Sequence, residues 1–180
     1  MTRTHRALSL ATALCASLCV LAGCSSSDGY TTPDALCGVP VGSGPLAALL
    51  PDGRKLEQSP KHIDAATSVC SLSVDGKPAL YLTDDVTDTG VDPAAVQRDV
   101  LLRMGNPRKV SVGDDARVAD RGGIAVGVCA QQGRRQKFVT LVDLTSEHVV
   151  PKRTADRRKA LEEFLRAYLP KAMEAKGCRR

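Results

Sequence analysis

The stretch VCSLSVDGKPALYL, Val69 to Leu82, decides the fold. Cys70, Leu72 and Val74 alternate with Ser71 and Ser73, the period of two that puts apolar side chains on one face of a strand. Asp75-Gly76 then interrupts the alternation with the pair that best tolerates the two positive φ angles of a type I′ turn. Leu80 and Leu82 resume the apolar face on the return strand. The segment predicts an antiparallel hairpin with one face committed to a core.

Working outward, Pro45 to Leu50 predicts a short apolar helix with proline near its start, stopped by Pro51-Asp52-Gly53. Residues 54–66 carry Gln58, Ser59 and Pro60 with little periodicity and predict a loop. Asp92-Pro93 opens a helix as cap and first residue, with Val96, Val100, Leu101 and Met104 as its apolar stripe and Gly105-Asn106-Pro107 as its end. Strands are expected near 109–112, 115–120, 123–131 and 136–144, where Ile124, Val126 and Val128 alternate on one and Phe138, Thr140 and Val142 on the next. The last element opens at Thr154 and carries Leu161, Phe164, Leu165, Tyr168 and Leu169 at helical spacing, with Pro170 expected to kink or end it. Strands grouped together, not alternating strictly with helices, predict an α+β domain. Its antiparallel sheet is packed by the long C-terminal helix, with a shorter central helix alongside.

The N-terminus reads as an address. Arg3 and Arg6 precede an apolar run from Ala7 to Val20, about 14 residues, where a bilayer core needs roughly 20. A secretory signal accounts for this layout better than a membrane span. Leu21-Ala22-Gly23-Cys24 resembles, at all four positions, the lipobox of bacterial lipoproteins. That resemblance implies a diacylglyceryl thioether on Cys24 and cleavage just before it, and two acyl chains are what stable anchoring takes. The expected organisation is a signal peptide over 1–23, a flexible tether over 24–34 and one α+β domain over 35–180. The expected location is the extracellular face of the cell membrane.

Without residues 1–23 the chain has 23 Lys and Arg against 20 Asp and Glu, a charge of about +3. So mild an excess gives no argument for nucleic acid as a partner. Trp is absent and only five Phe and Tyr occur, so the core rests on Val, Leu, Ile and Ala. Covalent staples suit such a core. Cys15 and Cys19 leave with the signal and Cys24 takes the lipid, so Cys37, Cys70, Cys129 and Cys178 remain, an even number for an oxidising compartment. Spacing does not choose among the three possible pairings. The expectation adopted is Cys37–Cys70, tying the leading segment to the first strand, and Cys129–Cys178, tying the last helix to a central strand.

Chemistry-bearing motifs are scarce. The sequence holds no GxSxG, HExxH, Walker loop or GxGxxG, and past Cys24 no CxxC. No catalytic residue, cofactor or metal is therefore expected. His62 and His148 are most simply solvated surface residues, and the acidic run Asp84 to Asp92 misses the calcium-loop spacing. Residues 151–180 carry ten Lys and Arg against four Asp and Glu. Lys152, Arg153, Arg157, Arg158 and Lys159 are candidates for contact with an anionic surface. The plainer account makes them the wet face of the last helix.

With the lipobox, the segment LCGVPV, the hairpin CSLSVDGKPALYL and a late helix ending at a cysteine, the chain resembles small secreted lipoproteins of actinobacteria that carry domains of unknown function. Some of these have a PsbP-like sandwich of sheet and helix, and that resemblance implies no catalytic residues. Three functions are compared. One is a non-enzymatic binding or accessory module of the envelope, taking a protein or a small ligand. Another is an envelope-acting hydrolase, which needs His62 or His148 to meet carboxylates in a cleft. The last is a protein that docks by charge on anionic surface polymers.

Overall fold

The hairpin forms as its sequence requires. Asp75 and Gly76 both take positive φ, 50° and 76°. They join β4 (Ser68–Val74) to β5 (Lys77–Asp88), with Cys70 opposite Leu82 and Leu72 opposite Leu80. The computed structural model describes residues 29–179 except 132, 146 and 148. The lipobox, Cys24 and His148 lie outside the described residues.

Around this hairpin stands a seven-stranded antiparallel sheet of order β3-β4-β5-β9-β8-β7-β6. The added strands are β3 (Leu56–His62), β6 (Arg108–Lys109), β7 (Asp115–Val118), β8 (Gly122–Gln131) and β9 (Arg134–Leu144). A two-stranded ribbon, β1 (Ala35–Leu36) with β2 (Val39–Pro40), and a short helix α1 (Ser43–Ala47) lead into it. Helices α2 (Pro93–Val96) and α3 (Arg98–Met104) follow β5, and α4 (Thr154–Ala175) closes the chain. The protein is an α+β domain.

One face of the sheet receives α4. Leu161, Phe164, Leu165, Tyr168, Leu169 and Met173 are buried there, a burial worth on the order of 10 kcal/mol. The helix lies close because β8 presents Gly123, Ala125 and Gly127 along its contact row. A Cβ on Gly123 would meet Leu165, and one on Gly127 would meet Met173. Intervening Ile124 and Val126 point to the opposite face, where they pack with Leu101 and Met104 of α3 and Val139 of β9. The shorter helix thus sits on the far side of the sheet from α4, not beside it.

Three further expectations are corrected. The segment read as a loop over 54–66 contains β3, an edge strand exposed over most of its length, so no apolar alternation marks it. Pro60 is tolerated there because an edge strand can dispense with one backbone donor. The helix opened at Asp92-Pro93 breaks at Gln97 (φ −89°, ψ 12°), which turns Val96 outward to 69 % exposure and removes it from the stripe. Pro170 neither ends nor interrupts the assigned span of α4, which continues to Ala175.

Both disulfides form in the pairing expected, Cys37–Cys70 and Cys129–Cys178. Tyr30 and Asp34, read as part of the tether, are held by the domain. The Tyr30 N–H donates to the Gly53 carbonyl and its hydroxyl to the Pro51 carbonyl at 2.6 Å, while the Asp34 carbonyl accepts from Val41 and Gly42.

Candidate functional site

Period-two alternation along β5 sends Leu80, Leu82, Asp84 and Val86 toward α4. The third of these is a carboxylate, only 7 % exposed. Its Oδ2 accepts a hydrogen bond from the Tyr168 hydroxyl of α4 at 2.7 Å. Thr140 stands opposite on β9, fully buried. Among the described residues neither Asp84 Oδ1 nor Thr140 Oγ1 has a hydrogen-bond partner. Buried polar atoms are rarely left so, because each forfeits its bond to water without replacement.

Burial pushes the Asp84 carboxyl above its ordinary range, against the hydrogen bond from Tyr168, the Thr140 hydroxyl that faces it without completing a bond, and the Lys176 ammonium, all of which favour the carboxylate. Burial and the neighbouring Asp84 push the Tyr168 phenol far up. Tyr168 is therefore a fixed donor across the physiological range.

Asp84 and Tyr168 line a cavity of about 220 Å³ between the end of α4 and strands β3 to β5. Its wall includes the Cys37–Cys70 disulfide, Val39, Val69 and Ala172, and its rim carries Lys61, His62 and Lys176. It is small beside the roughly 300–1,000 Å³ of drug-sized sites. A wider groove of about 740 Å³ runs past Arg108, Lys109, Asp120 and Arg158, but no buried unpartnered atom points to a ligand there.

The other sequence candidates separate cleanly. Lys152, Arg153 and Lys159 are exposed. Arg157 is 6 % exposed: its Nε donates to the Asp120 carbonyl at 2.5 Å, and one terminal nitrogen donates to the carbonyls of Pro151 at 2.6 Å and Lys152 at 3.1 Å. Arg158 pairs with Asp120, its Nε 2.9 Å from Oδ1, and this carboxyl stays below its ordinary value despite partial desolvation because Asn106 and Arg158 bond to it. Both arginines are structural, contrary to the reading that gave them a free wet face. His62 reaches the cavity rim, yet no hydrogen bond joins it to a described carboxylate or hydroxyl. The acidic run is divided: Asp84 faces the cavity, Asp85 accepts from the Thr67 hydroxyl, and Asp92 caps α2 by accepting from the Ala95 N–H. No cluster of three acidic, His or Cys side chains suited to a metal occurs among the described residues, and none of the described helices is long and apolar enough to cross a membrane.

The sequence reading grouped Asp84 with the acidic run and missed its inward position. The signal was present, since an acid occupied the inward position of an alternating strand. Comparison with known proteins adds no precedent: no family model, curated protein or solved structure matches the chain.

Proposed function

We propose that this chain is a lipid-anchored protein on the extracellular face of the cell membrane, and that its domain is a non-enzymatic module binding a small ligand in the Asp84 cavity. The anchor rests on the lipobox at Leu21 to Cys24 and the short apolar run before it. Two disulfides agree with an oxidising compartment. The ligand reading rests on one observation: a carboxyl more than nine-tenths buried lines a cavity, and its Oδ1 makes no hydrogen bond although the Thr140 hydroxyl stands opposite. What such an oxygen lacks is a donor. The fitting ligand brings an ammonium or similar N–H group to Asp84 and lays a short apolar body against Val39, Val69 and Ala172.

Two measurements test this. Intact-mass analysis of the protein extracted from its own membranes should find Cys24 at the N-terminus carrying a diacylglyceryl adduct; an unmodified thiol with the leader attached refutes the anchor. An NMR shift titration with n-butylammonium should move resonances around Asp84 and Tyr168, and Asp84→Asn should abolish the effect. Equal response to butyrate would assign recognition to the rim cations and overturn the reading.

A further inference from the structure

Tyr30, the tip of the β4–β5 hairpin and the start of α4 lie at one end of the sheet. Tyr30 bonds to the backbone at Gly53, and the Arg54 and Lys55 N–H groups both donate to the Asp75 carboxylate at the hairpin tip. Leu144 closes β9 opposite Leu80, Gly122 opens β8 opposite Asp143, and Arg157 ties the first turn of α4 to Asp120. The cavity is at the other end, since Asp84 lies eight residues along β5 from Gly76, about 25 Å at the rise of a strand.

The tether end also has a distinctive charge arrangement. Of its carboxylates, Asp75 is engaged by backbone N–H groups, Glu57 by Lys55, Asp120 by Arg158 and Asp156 by Arg153, while Asp52 beside Arg54 and Asp143 on β9 form no ion pair among the described residues. Arg54, Lys77 and Lys152 are exposed there and form no ion pair among the described residues. Only four residues separate Cys24 from Gly29, five steps of chain with a reach of at most about 17 Å.

From these juxtapositions we infer that the end bearing Arg54, Lys77 and Lys152 docks on an anionic lipid surface, so that the Asp84 cavity opens away from the membrane. The inference rests on the anchor proposed above, which brings this end to the bilayer. The lipid is the occupant favoured because the chain leading to Cys24 leaves from this end. A cation held near an anionic bilayer strengthens partition about fivefold.

The test uses the full lipidated protein in phosphatidylcholine vesicles, with and without phosphatidylglycerol, and a dye on Ala155→Cys or Ala65→Cys. Both alanines are exposed, the first at the start of α4 and the second at the cavity end. Energy transfer to a headgroup acceptor should be greater from position 155, the difference growing with phosphatidylglycerol and shrinking with salt. Equal transfer, or greater transfer from position 65, overturns the orientation. Should intact mass show no lipid on Cys24, the anchor fails by itself, and docking is read from flotation of residues 24–180 carrying Cys24→Ser, free of the apolar leader. That chain should float with phosphatidylglycerol vesicles and lose on the order of 100-fold in partition when Arg54, Lys77 and Lys152 are all changed to Gln. Absence of flotation, or sedimentation with a purified wall polymer in its place, overturns the lipid assignment.

Discussion

Arg157 offers the sharpest test of the packing argument, because its sequence context reads as solvated surface and its structure as a buried strut. Its guanidinium donates to the carbonyls of Asp120, Pro151 and Lys152 and so ties the turn before β8 to the loop leading into α4. Charged hydrogen bonds contribute roughly 1.5–3 kcal/mol each, and three would suggest more than 4 kcal/mol. Two effects reduce that figure. An apolar replacement no longer carries the cost of burying a charge, and carbonyls near the surface recover some bonding to water. Arg157→Met should therefore lower stability by about 3 kcal/mol, a Tm decrease of roughly 6–12 °C for a chain of this size. Urea unfolding should show a lower midpoint at unchanged slope. Lys159→Ala, two positions on, removes an exposed cation whose nearest carboxylate, Glu163, is 3.8 Å away, and should change stability by less than about 0.5 kcal/mol. If the two variants unfold alike, Arg157 is solvated and the strut does not exist.

Replacing Cys129 and Cys178 by Ser opens a bridge spanning 49 residues, and the chain-entropy relation gives a loss of about 4 kcal/mol in urea unfolding. Gly123→Val would drive a side chain against the Arg117 carbonyl and Leu165; overpacking of this kind costs about 1–3 kcal/mol, and a neutral result would mean α4 has room to lift. For Asp84 the sign follows from its raised carboxyl: the folded state holds the proton to higher pH than the unfolded one, so the wild type loses stability as pH rises above about 4 toward the elevated native value. Asp84→Asn lacks that loss, and its stability relative to wild type should rise across the same window. A difference that is flat with pH would rule this out.

Most of the sheet and α4 were legible because their signals are local. Asp75-Gly76 names its own turn, and the 161–169 spacing names its own buried stripe. What escaped depended on partners distant in sequence. β3 acquires strand geometry from β4, not from its own polar residues. Arg157 lies one helical turn before Leu161, on the buried stripe, but only the carbonyls of Asp120, Pro151 and Lys152 make that position tolerable for a cation. The same holds for Asp84, whose inward position could be counted along β5, whereas the Tyr168 hydroxyl that receives it comes from 84 residues away.

The two cystine bridges divide the molecule into regions of unequal fate under thiol reductants. One bridge lines the cavity and the other fastens the chain just past the end of α4 to β8, so both clamp the same extremity. The opposite extremity is fastened by Arg157 and Asp120, which reductants do not touch. Chains recovered from a reducing cytosol should accordingly keep their far-ultraviolet signature while fraying where the ligand would enter, and a screen run on such material would report an empty vessel.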